Sequence, residues 1–256
     1  MPATGESPEY VQNILESLRK KEGTYEGGDD IKDALSSKNL TIVAGPIGLE
    51  KVAISNEAAR ISLAEDLEVV RILSSVTRAR RADDPIDART ANDGVTFHEI
   101  NDAVINDNLV NFHIVGQDIE ATYRSGFPGT YNVGPAPTKS ILQLLNAGFR
   151  DYNVAFMVTD GETHERRLRT DYAHRPDFIP QLIIGHETLD FAEMNIEASW
   201  LYAVESHPED DGLAKAARKV INIARHQTSE ILTNDRALRY IDEMRQALQR
   251  VARDVH

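Results

Sequence analysis

The stretch Gly45-Pro46-Ile47-Gly48-Leu49-Glu50-Lys51-Val52 constrains this chain most. An apolar run, Leu40-Thr41-Ile42-Val43-Ala44, leads into it and an alanine-rich helical pattern leads out of it. Strand, glycine-bearing turn and helix in that order make the opening unit of a parallel α/β sheet. Gly45 and Gly48 let successive backbone N–H groups bend toward one point, the helix N-terminus adds its positive end, and Lys51 adds a cation. Together these form an anion site of the phosphate-loop type. Two positions depart from that pattern, which asks for glycine where Glu50 stands and for Ser or Thr where Val52 stands. Glu50 brings a carboxylate toward the phosphates, and Val52 lacks the hydroxyl that would ligate Mg2+. By itself the octapeptide reads equally as a strand-to-helix turn carrying a solvated lysine.

Composition narrows the class. A chain of 256 residues, 27% charged and 41% hydrophobic, can bury a full α/β core and carry helical additions. Cysteine is absent, which excludes disulfides, thiolate metal sites and a cysteine nucleophile. A formal net charge of -13 opposes nonspecific nucleic-acid binding, which needs basic surface. The first residues, Met1 to Glu6, lack a basic start followed by an apolar core, and no apolar run reaches the ~20 residues of a membrane span. The expected location is the cytoplasm, with no membrane partner.

A second basic element follows. Glu68 to Leu73 has a buried-strand pattern and runs into Ser74-Ser75-Val76-Thr77-Arg78-Ala79-Arg80-Arg81, with three arginines in four residues. The carboxyl end of a strand is where open α/β sheets bind ligands, and the planar fork of arginine suits phosphate. The other reading is a solvated basic loop partly neutralised by Asp83 and Asp84. Farther on, Leu109 to Val115 alternates like a strand, Thr138 to about Ala147 reads as a helix, and Asn153 to Val158 as a buried strand.

The order of these elements, with Ser-x-x-Thr-Arg-x-x-Arg followed by Asp93-Gly94-Val95-Thr96-Phe97, resembles the guanylate kinase family from about Asn39 to Ser206. The resemblance implies an α/β fold with a P-loop kinase-type parallel sheet flanked by helices, a small acceptor-binding subdomain, a lid and extra terminal helices. It implies the reaction ATP + GMP to ADP + GDP, with Mg2+ accompanying ATP. Gly45, Gly48 and Lys51 would hold the donor phosphates, Ser74, Arg78 and Arg81 the acceptor monophosphate, and Arg167 would be the lid arginine acting with Lys51 in catalysis. Arg166, Arg169 and Arg175 are looser matches to that lid position. Phe127 to Gly134 resembles the tyrosine- and glycine-containing loop of the acceptor subdomain.

Departures cluster at both ends of that reaction. Phe97 stands for a tyrosine that donates to the acceptor phosphate, Asn111 for the glutamate that reads guanine, and Gln181 for a second arginine. The strand that carries an aspartate beneath the phosphates is shortened away or merged with residues 154 to 158, leaving Asp160 as a substitute. With Glu50 and Val52, five losses across one mechanism point to weak or lost turnover. The alternatives are a kinase-fold scaffold for protein partners or self-association through the terminal helices, and a phosphate-loop protein of another branch that uses Asp160. His164-Glu165 and His186-Glu187 begin a zinc-protease pattern, but Leu168 and Asp190 fill the positions of the second histidine, so no metal site is expected.

The flanks read as helices: Ser7-Pro8 starts one whose Tyr10, Val11, Ile14, Leu15 and Leu18 share one face, and Gly23 to Gly28 ends it. Residues 209 to 232 read as one helix, with Pro208-Glu209-Asp210-Asp211 as an acidic first turn, and Thr233 or Asn234 starts the last. There Ala237, Ile241, Met244, Leu248 and Val251 form a stripe expected to pack on its own domain. The organisation expected is residues 1–38 as an N-terminal extension, 39–206 as the core domain and 207–256 as a C-terminal extension.

Overall fold

The computed structural model describes residues 5–81, 84, 88–149, 151–175, 177–206, 211–228 and 232–254. The chain forms two compact units that interleave along it. One comprises residues 1–39, 71–132 and 139–151, the other 40–70, 133–138 and 152–256.

The second unit is built on a sheet of five strands in the order β2-β6-β1-β7-β8. These are β1 (Asn39–Ala44), β2 (Val69–Arg71), β6 (Tyr131–Pro135), β7 (Tyr152–Val158) and β8 (Leu201–Glu205). β1 pairs in parallel with β7, Leu40 opposite Tyr152 and Ala44 opposite Phe156, and β7 pairs in parallel with β8. Every residue of β7 is buried, as expected for a central parallel strand covered on both faces. From β1 the chain crosses to β2 by way of α3 (Lys51–Glu65), whereas β7 lies on the other flank of β1. The carboxyl end of β1 is therefore a topological switch point, where such sheets open a crevice for ligands. Ile54, Ser55, Ala58, Ile61 and Ser62 make the buried face of α3, which packs against α8 (Gly212–Ala224). α9 (Asn234–Asp254) buries Ala237, Ile241, Met244, Leu248 and Val251 against α6 (Gly161–Arg167), α7 (Phe178–Asn195) and β7. The heptad-like stripe is thus a packing face within this unit.

The first unit has a three-stranded sheet in the order β3-β5-β4, made of β3 (Ser75–Val76), β4 (Leu109–Val115) and β5 (Asp118–Tyr123). α1 (Pro8–Lys21) and α4 (Phe97–Ile105) cover one face of it, sharing a core of Leu15, Leu18, Phe97, Ile100, Phe112 and Ile119. Ser7 caps α1, its hydroxyl accepting from the Tyr10 N–H at 3.3 Å. Glu6 caps α4, accepting from the N–H groups of Phe97 and His98 at 3.1 and 3.0 Å. α2 (Asp29–Leu35) and α5 (Thr138–Asn146) complete the helices.

Some expectations change. The strand expected over 68–73 is regular only at Val69–Arg71. The segment Phe127 to Gly134, expected as a loop of the acceptor subdomain, contains the start of β6, because Tyr131 onward pairs into the five-stranded sheet. α8 spans only Gly212–Ala224, with Asp211 at its cap; Pro208 to Asp210 of the expected acidic first turn lie outside the described residues.

β4 is an edge strand, and side chains satisfy its open edge. The amide of Gln143 accepts from the Phe112 N–H at 3.0 Å and donates to the Phe112 carbonyl at 2.6 Å. Glu22 accepts from the Ile114 N–H at 2.8 Å, and the Tyr25 hydroxyl serves both the N–H and the carbonyl of Leu109. Exposed strand edges invite foreign pairing, and this one is closed by α5 and the segment after α1. Gln143 is 1% exposed, so removing its amide strands the backbone polar groups of Phe112 without solvent. Gln143→Leu should lower unfolding free energy by about 2–4 kcal/mol, read from the urea midpoint at constant m-value; a loss under about 0.5 kcal/mol would mean the edge does not need this side chain.

Candidate functional site

The loop after β1 has the backbone that its glycines allow. Gly45 has φ 146° and Gly48 φ 88°, and a Cβ at Gly45 would lie 3.1 Å from the Met157 carbonyl oxygen. Both positions therefore require glycine. Leu49 is fully buried and anchors the loop, and α3 begins at Lys51. Glu50, the residue before that helix, is left-handed at φ 40°, a conformation that costs a side-chain-bearing residue about 1 kcal/mol. Glycine belongs there on steric grounds, and glutamate is held there by other contacts.

Those contacts come from α6. Asp160 caps this helix, accepting from the Thr163 N–H at 2.8 Å. One turn on, His164 is fully buried with Nε2 2.9 Å from the Ile47 carbonyl oxygen. Arg167, also buried, donates to the Gly48 carbonyl at 3.1 Å and to the Glu50 carboxylate at 3.4 Å. Lys51 folds back on its own loop, donating to the Pro46 carbonyl at 2.8 Å. Burial pulls the pKa of the Lys51 ammonium down to about 8. The carbonyls of Pro46, Ile47 and Gly48 and the Glu50 carboxylate are thus matched to donors from α6 and from the loop itself.

α6 is in turn seated on α9. A Cβ at Gly161 would stand 2.8 Å from the Glu243 carbonyl oxygen, so glycine permits the close approach of the two helices. Glu243 accepts from the Gly161 N–H at 3.2 Å, Arg250 pairs with Glu165 at 2.6 Å, and Arg169 pairs with Asp254 at 2.6 Å. Of the looser lid candidates, Arg169 is therefore held by α9, Arg175 pairs with Asp177 at 3.0 Å, and Arg166 is exposed. Only Arg167 reaches the loop among these four.

In the first unit, Arg78 forms a two-pronged pair with Asp84 at 2.6 and 2.7 Å, and Asp84 also accepts from the Arg81 N–H at 2.7 Å. The Arg78 pair, more than any other contact, holds the Asp84 carboxyl below its ordinary range. Asp118 lies close enough to feel both arginines, although burial raises its pKa on balance. Arg80 pairs with Asp93 at 2.9 Å, the Arg81 side chain is exposed, and Ser74 is half-buried with its carbonyl accepting from the Arg89 N–H. Asp84 provides the neutralisation suggested by the sequence, while Asp83 lies outside the described residues.

The departures have structural counterparts. Phe97 is 2% exposed, its ring in the core of the first unit, so no hydroxyl is presented there. Val52 is 40% exposed on the first turn of α3 and offers no oxygen. Asn111 is nearly buried on β4 opposite Thr122, and Gln181 sits half-buried on the first turn of α7. Asp160 spends one carboxylate oxygen on its helix cap. Among the described residues no group of three or more His, Asp or Glu could hold a metal ion, and no helix is long and apolar enough to cross a membrane. Sequence reasoning missed His164 as a loop contact and Glu50 as an arginine partner. These pairs lie 117 residues apart, and no local pattern joins them.

No protein-family model matches the chain, and no curated protein matches it. Among solved structures it is similar to the guanylate kinase of Anaplasma phagocytophilum, with a TM-score of 0.50 and 13% sequence identity over 79% of this chain and 94% of that one. At that identity the likeness is one of fold, and the chain has a guanylate kinase-like α/β fold.

Burial lowers the pKa of His164 to about 4, against the opposing pull of the Ile47 and Met244 backbone. A folded-state pKa below the unfolded value means that the unfolded chain takes up the proton first as pH falls. Stability from this group is then complete above about pH 6.5 and is lost between there and about pH 4, by roughly 3 kcal/mol. Urea midpoints measured from pH 7 to pH 4 should fall more steeply for the wild type than for His164→Gln; parallel profiles would show that the histidine is not held neutral.

Proposed function

We propose that this chain is a nucleotide-binding protein of kinase fold whose phosphoryl transfer from ATP to GMP is weak or lost. The observation that carries this reading is the engagement of Arg167 with Gly48 and Glu50 of the phosphate loop. An arginine that stabilises the transferring phosphoryl group is worth on the order of 10³-fold or more in rate, and here the matching side chain is committed to the loop's own oxygens. Arg78, the matching acceptor residue, is committed to Asp84 in the same way.

Binding is less demanding than turnover. Gly45, Gly48, the N-terminus of α3 and Lys51 still make an anion site, and an entering phosphate would restore full charge to the Lys51 ammonium. The residues at hand do not suit a resident Mg2+: Val52 replaces the hydroxyl donor and Asp160 caps α6. Nucleotide binding is accordingly expected to be independent of the metal.

The test combines melting temperature and turnover. ATP or GMP at tenfold its Kd should stabilise the protein by about 1.4 kcal/mol with or without Mg2+. ADP formation from ATP, GMP and Mg2+ should not exceed that of a Lys51→Ala, Arg78→Ala double variant. Brisk ADP formation that requires GMP would overturn the loss of catalysis. Failure of every nucleotide to shift the melting temperature at millimolar concentration would overturn binding and favour the scaffold alternative.

A further inference from the structure

Glu50 combines three properties rarely met at one position of an anion-binding loop. Its backbone is in the left-handed region, where glycine is the low-energy choice. Its carboxylate, half-exposed, meets a guanidinium group that is 9% exposed. That guanidinium simultaneously holds the carbonyl of Gly48, so it sits over the turn in which the loop's N–H groups would receive a phosphate. Tyr172, beyond α6, lies close enough to feel the charges of both Glu50 and Arg167. The backbone that carries Arg167 is fixed to α9 on both sides, through Gly161 and Glu165 of α6 and through Arg169 just after it.

We propose that Glu50 is a tethered anion that competes with phosphate for Arg167, keeping the loop in a self-occupied state. This rests on the reading of the loop as an anion site. The Arg167 N–H that meets the Glu50 carboxylate becomes free for a polyphosphate oxygen only when that carboxylate is displaced, and the displaced carboxylate then faces the new anion. The ligand class is the polyphosphate group itself, whether free or carried by a nucleotide. Arg167 is the exchange partner in the competition, and α9 sets where it stands.

The experiment is calorimetric titration of the full chain with inorganic pyrophosphate and, separately, ATP, without metal. Glu50→Gln preserves size and backbone while removing the charge, and it should tighten pyrophosphate binding about tenfold, equivalent to about 1.4 kcal/mol. Glu50→Gly should tighten it at least as much. In an Arg167→Gln background the gain from Glu50→Gln should shrink to a small fraction, because no guanidinium remains to be released. Equal tightening of pyrophosphate and ATP identifies the polyphosphate group as the ligand; tightening of ATP alone would overturn that assignment. If the wild type binds and Glu50→Gln binds no better, the tethered anion is refuted while the anion site stands. If the gain persists undiminished without Arg167, simple repulsion explains it and the competition is refuted. If neither the wild type nor any Glu50 variant binds, both the competition and the anion site fall.

Discussion

The hydrogen bonds from Arg167 to Gly48 and Glu50 join α6 to the loop after β1. The loop needs Gly45 to pass the backbone of β7 and Gly48 to turn, and it then meets α6 through His164 and Arg167. α6 takes its place from Asp160 at one end and from α9 along its length. A buried guanidinium is costly unless its donors are satisfied, so the carbonyl of Gly48 and the carboxylate of Glu50 stabilise Arg167 as much as it stabilises them. The ion pair with Arg167 acts against the strain of about 1 kcal/mol that glutamate meets in this left-handed position.

The first unit shows the same trend without sharing any of those residues. Arg78 is bound by Asp84 through two bonds, Arg80 by Asp93, and Phe97 is turned into the hydrophobic core. Arg78 and Arg80 are thus held by carboxylates of their own unit, while the Arg81 side chain stays exposed. A chain with a formal net charge of -13 supplies many carboxylates, and here two of them, Asp84 and Asp93, pair with Arg78 and Arg80. Internal pairing of this kind satisfies part of each guanidinium's donor set within the fold.

Local pattern reveals much of the fold. β4 is legible from the alternation of Leu109 to Val115, β7 from an unbroken apolar run, and α1 from Ser7-Pro8 and its 3.6-residue stripe. What escapes depends on distant partners. β6 contains Gly134 and ends at Pro135, residues that argue against a strand, yet the neighbouring strands accept it. β3 has two residues, too few to carry a period, and α7 runs unbroken through Pro180 and Gly185, residues that argue against a helix. At the site, Gly45, Gly48 and Lys51 are visible because a loop is contiguous in sequence. The Glu50–Arg167 pair is not, because spacing carries no information across 117 residues. Asp84 is within reach of local reasoning, being six residues from Arg78, and it reads from the sequence as a neutralising neighbour.

A double-mutant cycle measures the coupling between Glu50 and Arg167 directly. Its variants are Glu50→Gln, Arg167→Gln and the pair together, read as unfolding free energies at low ionic strength. Coupling of about 1 kcal/mol is expected, since the two residues are in contact and one of them is buried. Changes that add to within about 0.3 kcal/mol would contradict this junction and leave Arg167 available to a ligand.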